Sequence, residues 1–588
     1  GENVTNMSGA YDYCYRLTGD AVCGPNVTDM SYAYNNCYGI TKAVCGDKVI
    51  NMSYTYNNCK QITTPVCGPN VTDMVYTYYN CTNITNAVCG DNVFNIGFAY
   101  ANCPLITDPV CGPNVVSMTG AYANSYNITY ALCGDLVTEF SSAYFNCNKI
   151  TTPVCGTNVV NMGSAYCNCY NLVGNPVIGD NVINISRTYY NCRNLTGSPI
   201  CSDKIIDMSN AYWNCINLTG NIVVGNNVVN MANAYVNCIY LNGNPISTES
   251  MVNMYGAYAW CYNITGNPVC GNNVKSLEGT YVHCHNLTGS PVCGENVVAF
   301  NTTYAYCFNL TGSPVCGENV VNMDGTYAYC SNLTGSPVCG PNVNYMANTY
   351  HNCWNLTGSP VCGNKVNNFS TAYANCSNLT GSPACSNTVH NMAYTYWNCR
   401  NLTGQPVCGR AESMYYAYAN CCNLTGSPVC ENVFCYNMSY AYYNCFRLTG
   451  NPVVSDYTFN FICTYYNCTN LTGSPVSGGF NMHYTYYNCT NLTGSPACDY
   501  YVENLSHTYY NCTNLTGTAA CGTNTVGMNH TYYNCQNLTT PVCGPNVTNM
   551  YYTYYNCVNL TTAACGDKVK SMYATYANCV NIEIAVCG

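Results

Sequence analysis

The sequence predicts a repeat solenoid, and three observations predict it. The first is a recurring unit: Asn309-Leu-Thr-Gly-Ser-Pro-Val-Cys-Gly-Glu-Asn-Val-Val-Asn-Met-Asp-Gly-Thr-Tyr-Ala-Tyr-Cys330 is followed by Asn332-Leu-Thr-Gly-Ser-Pro-Val-Cys-Gly-Pro-Asn-Val, the same unit again. Self-similarity at a period of about 22–23 residues runs through the whole chain, and a period in that range marks stacked coils. The second is a tyrosine column, Tyr34, Tyr56, Tyr78 and Tyr100 among its early members, which holds one Tyr per unit without exception as far as Tyr576. The third is an even composition. The 588 residues include 50 Cys, 61 Tyr and 48 Gly, and no linker or charge run interrupts them. The expected organisation is therefore one domain, residues 1–588, a single uninterrupted array of about 26 repeats without capping units. A unit this short cannot bury a core alone, so each alignment column becomes a ladder of like side chains along the stack.

Each unit opens on Asn-Leu-Thr-Gly, whose Leu points inward and whose Gly marks a corner. The Pro of Ser-Pro-Val lacks an N–H and cannot donate to a ladder, so a strand begins at or after it. That places one very short parallel strand per coil at Val-Cys, for example Val315-Cys316, with this Val also directed inward. Stacked about 4.8 Å apart, such strands make a rod on the order of 120 Å long. The Cys after Pro-Val forms a first cysteine column, Cys23, Cys45 and Cys67 at its start, and a second extended piece covers Asn-Val-x-Asn-Met. Met30 and Tyr34, like Met52 and Tyr56, stand four residues apart. Apolar groups at that spacing share a helical face, so Met-x-x-x-Tyr predicts a short helical or 3₁₀ turn with Met, Tyr and the following Cys inward. A Tyr rather than a Phe ladder implies that the hydroxyl reaches a partner. Asn36, Asn58 and Asn80 precede the second cysteine column, Cys37, Cys59 and Cys81, and a stacked Asn column suits a corner where amides pair with backbone.

At this point the residues resemble a known family. Asn3-Val-Thr-Asn-Met-Ser-Gly-Ala-Tyr-Asp-Tyr-Cys14 is similar to the Asn-Val-Thr-Asn-Met-Ser segment, with its following Cys, of BspA-type leucine-rich repeats. The match recurs at Asn26-Val-Thr-Asp-Met30, Asn70-Val-Thr-Asp-Met74 and Asn546-Val-Thr-Asn-Met550, so it covers essentially the whole chain. Departures are Tyr for the family's usual Phe, and Pro-Val-Cys where the family has a Leu or Ile strand. The resemblance implies a leucine-rich-repeat-like solenoid, surface exposure and a role in adhesion or in host or matrix contact.

Two arrangements of the cysteines fit the sequence. Fifty Cys suit an oxidising compartment and extensive disulfides. Yet the losses are not paired. Ile178, Val224, Ser247, Val454 and Ser477 break the first column while the second continues beside them, and Ser125 breaks the second while Cys111 and Cys133 remain. Unpaired losses suit packed thiols, because free Cys behaves as a small buried apolar residue.

About 34 positions satisfy Asn-x-Ser/Thr, the acceptor pattern for N-glycosylation. The candidates are Asn26, Asn70, Asn83, Asn127, Asn194, Asn217, Asn263, Asn286, Asn309, Asn332, Asn355, Asn378, Asn401, Asn423, Asn470, Asn491, Asn514, Asn537 and Asn559. Asn-Leu-Thr is also simply the repeat consensus. What favours sugar is that 7% of the residues are charged, against about 25% in an average protein, so a long array needs another source of solubility. Asn in the tight Tyr-x-Asn-Cys turn is expected to be bare.

Other functions are excluded by what is missing. Fifteen Lys+Arg and a net charge of −10 do not suit phosphate neutralisation, so nucleic acid is not an expected partner. No apolar run approaches the ~18 residues of a membrane span. There is no phosphate-binding Gly loop, no His-Glu-x-x-His and no Gly-x-Ser-x-Gly, so neither a cofactor nor catalysis is expected. His283, Cys284 and His285 lack a second ligand pair at metal-site spacing. The sequence starts and stops in mid-unit without polar caps, so the expectation is either a piece of a longer array or head-to-tail stacking of copies, since a heterologous contact that does not close gives a filament. The first functional expectation is thus a secreted structural protein that stacks head to tail into a glycosylated extracellular fibre or surface coat. The alternative is an adhesin- or receptor-like solenoid binding a protein or glycan along one face, with the irregular stretches Ser247–Trp260 and Arg410–Met414 as candidate sites.

Overall fold

The computed structural model describes residues 1–430 and 434–585. It comprises two compact units, Gly1–Thr288 and Gly289–Gly588, built from the same coil. In the first unit β1 (Thr18–Asp20) pairs in parallel with β2 (Gly39–Lys42). In the second, β3 (Gly517–Thr518) pairs in parallel with β4 (Leu538–Thr540), and β5 (Thr562–Ala563) with β6 (Ile584–Ala585). Elsewhere parallel pairing shrinks to single bridges at the residue before Met, such as Asn51↔Asp73 and Asp73↔Asn95 in the first unit and Asn368↔Asn391 in the second. Both units are therefore repeat solenoids.

The strands do not fall on Val-Cys, and the tyrosine hydroxyl is the reason. The Val22 N–H donates to Tyr34 Oη at 2.8 Å, and Tyr34 Oη donates to the Val22 carbonyl at 2.7 Å. Tyr78 holds Val66 at 2.8 and 2.7 Å, and Tyr350 holds Val338 at 3.0 and 2.7 Å. Each such Val spends both backbone groups inside its own coil and has neither left for the next. Its side chain also departs from the expected inward direction: Val22 is 59% exposed. Pro65 and its equivalents are buried in its place, and the Val of Asn-Val (Val27, Val49, Val71) fills the core.

The expected helical turn is absent; no described residue is helical. Met30 to Cys37 instead makes three successive turns, closed by Ala33 N–H to Met30 O (2.9 Å), Asn35 N–H to Tyr32 O (3.2 Å) and Cys37 N–H to Tyr34 O (3.1 Å). The intervening amides of Tyr32, Tyr34 and Asn36 donate sideways to Ser53, Thr55 and Asn57 of the next coil at 3.0, 2.9 and 2.7 Å. An α-helix requires each amide to turn back four residues, and here every second one is committed to a neighbour. Tyr32 and Asn36 sit at φ 56° and 60°, the left-handed conformation required at the third position of a type II turn. Asn tolerates that conformation better than most residues, which accounts for the Asn before the second Cys. Met and Tyr still share the inner face, so the spacing identified the core correctly through a different backbone.

Met30, Tyr34, Cys37 and Ile40, with their equivalents such as Met323, Tyr327, Cys330 and Leu333, are at most 1% exposed. The inner tyrosine rings form offset stacks, with centroids 5.6 Å apart for Tyr56–Tyr78 and 5.3 Å for Tyr350–Tyr373. Next to them runs an amide ladder. Asn58 Nδ2 donates to Asn36 Oδ1 at 2.7 Å and Asn80 Nδ2 to Asn58 Oδ1 at 2.6 Å, so these amides pair with each other rather than with backbone.

Every described cysteine is a free thiol, and both columns hold their sulfurs in packed, hydrogen-bonded positions. In the second column Cys59 Sγ donates to the Tyr34 carbonyl at 3.1 Å, and Cys353 Sγ to Tyr327 at 3.0 Å. Ser125 makes the same bond to Tyr100 at 2.9 Å, which explains why it stands in for Cys. In the first column the sulfur accepts from the next coil, as Cys201 does from the Gly225 N–H at 3.1 Å. Ser247 and Ser477 keep that role, accepting from Gly271 and Asp499 at 2.7 Å each. Held this way, the cysteines need no oxidising compartment for the coil to form. The Gly after the first Cys permits the close stack: a Cβ on Gly112 would lie 2.9 Å from both Cys89 Sγ and the Gly90 carbonyl oxygen.

Candidate interaction surface

The sequence-predicted tyrosine ladder is core, so an aromatic surface must come from other columns. Two such columns run side by side in the second unit. One takes the residue after the buried Tyr, where Tyr-Tyr-Asn-Cys recurs: Tyr443, Tyr466, Tyr487, Tyr510, Tyr533 and Tyr555. Their rings stack face to face, with centroids 4.5–4.7 Å apart from Tyr443–Tyr466 through Tyr533–Tyr555. The other takes the left-handed position two residues after Met, where Tyr484–His507, His507–His530 and His530–Tyr552 stack at 4.5, 4.6 and 5.0 Å. Between the two runs an open groove of about 520 Å³. Ring faces are spent on neighbouring rings, so the groove presents ring edges and hydroxyls.

The groove carries no charge near neutral pH. Burial raises the phenol pKa of Tyr466, Tyr487 and Tyr510. Burial, then His530 and His483, pushes His507 down to about 4, and burial lowers His483 and His530 as well. The Nδ1 atoms of all three imidazoles are buried without a hydrogen-bond partner. In the first unit a shorter stack, Tyr32–Tyr54–Tyr76–Phe98, has spacings of 4.5, 4.7 and 4.8 Å. It stops at Gly120, where a Cβ would meet the Phe98 ring at 2.3 Å.

Parts of the irregular stretches singled out from the sequence have a structural explanation, while Tyr255 and Trp260 stay exposed. Ser247 replaces a first-column Cys, as above, and Met251 fills the core Val position at 0% exposure. Near Arg410 the coil is one residue shorter and Ala411 takes that position. His390 Nδ1 and Glu412 Oε1 form an exposed pair at 3.2 Å. His283 Nδ1 and His285 Nε2 lie 3.4 Å apart, but Cys284 between them points inward and bonds the Tyr258 carbonyl at 3.1 Å. Among the described residues no three His, Cys, Asp or Glu side chains converge as a metal site.

The Asn-Leu-Thr column lies along the surface of both units. Asn194, Asn286, Asn309, Asn332, Asn355, Asn378, Asn401, Asn470, Asn491, Asn514, Asn537 and Asn559 are exposed; Asn83, Asn127, Asn217, Asn263 and Asn423 are half-buried. Amide contacts in this column are long, 3.5 Å for Asn355 to Asn332 and 3.3 Å for Asn559 to Asn537. Asn26 and Asn70 belong to another column, and their Nδ2 atoms donate to the Glu2 and Asp47 carbonyls at 2.6 and 2.8 Å. The turn asparagines, such as Asn511, have Nδ2 locked in the amide ladder. No helix of the described residues is long and apolar enough to cross a membrane.

Fold and surface define a solenoid of hydrogen-bonded coils with an aromatic, uncharged face. Among solved structures it is similar to a leucine-rich repeat protein from Bacteroides ovatus, at 12% identity over 53% of this chain and 82% of that one, with a TM-score of 0.42. It is also similar to TLR13 in a complex with ssRNA13, at 9% identity over 94% and 79% and a TM-score of 0.22. The ectodomain of the Arabidopsis thaliana receptor kinase GASSHO1/SCHENGEN3, in complex with CASPARIAN STRIP INTEGRITY FACTOR 2, matches at 10% identity over 93% and 71%, with a TM-score of 0.22. No family model matches the sequence, and no curated protein does.

Proposed function

We propose that the chain is a non-catalytic binding scaffold, one continuous array over 1–588, that holds an extended neutral glycan along its tyrosine face at a cell surface. The observation that carries this reading is the uncharged groove lined by Tyr443, Tyr466, Tyr487 and Tyr510 on one side and by Tyr484, His507 and His530 on the other. Phenol and imidazole groups at a regular pitch of about one coil supply hydrogen bonds to a polyhydroxyl chain running along the stack, while the missing charge disfavours nucleic acid and polyelectrolytes. The exposed Asn-Leu-Thr column supports passage through a secretory route and N-glycans on the chain itself.

The test is titration of neutral and anionic polysaccharides against the wild type and Tyr487→Ser/Tyr510→Ser. Saturable binding of a neutral polymer that the double variant loses, with little salt dependence, supports the reading. Equal binding by the variant, or binding only of anionic polymers, overturns it.

A second reading, self-association into a glycosylated fibre, is favoured by the coil's self-complementarity. A coil offers its neighbour the partners it takes from the other side, as when Met30 N–H reaches Asn51 O while Met7 N–H reaches Asp29 O. Imaging in vitreous ice over a dilution series separates the two: continuous filaments support stacking, and discrete particles at every concentration reject it.

A further inference from the structure

One coil of the second unit is cut short. From Val476 to its clamping Tyr486 the chain takes 10 residues, where Val453 to Tyr465 takes 12. The loss falls at Gly478-Gly479, and no other residue fits there. A Cβ on Gly478 would lie 2.5 Å from Val454 Cγ2, and one on Gly479, at φ +69°, would lie 2.4 Å from the Phe459 carbonyl oxygen. At the shortened coil lies a cavity of about 490 Å³, lined by residues other than those of the tyrosine groove.

Its walls are aromatic. Tyr457, Phe459, Phe480 and Tyr501 line it, each about half exposed. Phe459 is stacked between Tyr436 (5.9 Å, 15°) and Phe480 (5.9 Å, 13°), and Tyr501 stands across Phe480 at 73° and 6.3 Å, so Phe480 and Tyr501 meet the space from two directions. Phe434 stacks against Tyr457 from outside at 5.2 Å. Asp456 and Asp499 also line the cavity, and no Lys or Arg does. Among the described residues neither carboxylate forms an ion pair. Two carboxylates in one notch are conspicuous in a chain with only 25 acidic residues.

We propose that this notch binds an alkylammonium cation, with the cationic head between Phe480 and Tyr501 and the two aspartates supplying the counter-charge. Aromatic faces attract a cation through the ring quadrupole and do so best for a weakly hydrated head such as a quaternary ammonium. An anion meets two carboxylates, and a neutral apolar group gains nothing from them. The proposal does not depend on the glycan groove, which lies on other columns.

The test is calorimetric titration of the full chain with choline, with a peptide carrying trimethyl-lysine, and with 3,3-dimethylbutanol, the neutral isostere of choline. Both cations are expected to bind at least about tenfold more tightly than the alcohol. Phe480→Ala and Tyr501→Ala should each weaken cation binding by about tenfold or more. Asp456→Asn and Asp499→Asn should each weaken it about threefold and reduce its salt dependence. The four side chains are exposed, so unchanged thermal unfolding of the variants verifies that the fold persists. A tighter peptide assigns the site to methylated lysine on a partner protein, and tighter choline assigns it to a small free cation. Equal binding of choline and the alcohol, or no binding of either cation, overturns the proposal.

Discussion

Replacing one hydroxyl of the buried tyrosine ladder isolates what that hydroxyl does. Tyr350→Phe keeps the ring in place between Tyr327 and Tyr373, at 5.5 and 5.3 Å, and removes only Oη. Two hydrogen bonds vanish together, the one accepted from the Val338 N–H (3.0 Å) and the one donated to the Val338 carbonyl (2.7 Å). A polar group left unpaired away from water costs about 1–3 kcal/mol, so with some relaxation the local cost is about 2–4 kcal/mol. The matched control is Tyr510→Phe on the half-buried outer stack, with an expected cost of about 0–0.5 kcal/mol, as for surface changes generally. Because each repeat contacts only its neighbours, global unfolding is a blunt readout. Amide hydrogen exchange reads the coil directly. Protection at Val338 and in the adjoining turn should fall by about 30- to 1,000-fold in Tyr350→Phe, at 1.4 kcal/mol per factor of ten, with coils several repeats away unaffected. If Tyr350→Phe costs no more than Tyr510→Phe, the hydroxyl clamp is not what keeps Val338 out of the ladder, and the account of the missing Val-Cys strands fails.

Three further outcomes follow from the same geometry. Burial pushes the thiols of Cys45, Cys89 and Cys133 up to about 12, so alkylation of the native chain at pH 8 should modify few thiols beyond exposed Cys14, with the rest reacting only in denaturant; modification of most thiols in the native state would refute the ladders. Ser125→Cys should leave stability within about 0.5 kcal/mol, whereas Ser125→Ala, which orphans the Tyr100 carbonyl bonded at 2.9 Å, should cost about 1–3 kcal/mol by thermal unfolding. His507 is held at about 4 when folded against 6.5 when free, so the unfolded chain binds the proton first; the stability it gives at neutral pH is lost as pH falls from about 6.5 toward 4. His507→Tyr, which restores the commonest residue of its column, should therefore lower the midpoint less between pH 7 and pH 4.5 than the wild type does, and identical slopes would reject the assignment.

How much of this was legible in the sequence depended on whether a column carried its own reason. Met30 and Tyr34 read as core because spacing and apolar character both reported the same face. The Tyr-for-Phe choice announced that the hydroxyl had a partner, yet that partner, Val22, lies 12 residues upstream, and no local rule connects the two. Two errors came from that one gap. Pro-Val-Cys looked like a strand start because Pro permits one, and only the clamp shows that the Val has no groups left to pair. Met-x-x-x-Tyr looked helical because an apolar i, i+4 pair cannot distinguish a helix from turns alternating with ladder bonds. A signal against the helix was present in Asn36, Gly120 and Gly325, residues that favour the left-handed conformation found there. Ser125 was a signal on the cysteines, because a hydroxyl can take over the hydrogen bond that a thiol makes.

The same reasoning says where function is to be sought in such an array. A column kept in every coil answers to stacking, because any change is felt by two neighbours at once. The inner tyrosines are kept in every coil and the second cysteines and the amide ladder in most, and each has a bond that explains it. Function has freedom only where the coil departs from its own rule without a structural debt to settle. Ser247 and Ala411 depart but are absorbed, since each takes over the bond or the volume of the residue it replaces. The outer Tyr443–Tyr555 stack and the notch at Gly478-Gly479 are different, because nothing in the fold demands Tyr at the first or two missing residues at the second. Other coils place Ala or Val at the positions of the outer stack, as at Ala374 and Val236, and keep the same turn with φ 64° at Asn375 and 59° at Asn237. A feature that the scaffold does not need, sustained over consecutive coils and left open to solvent, is the physical signature of a surface made to meet something else.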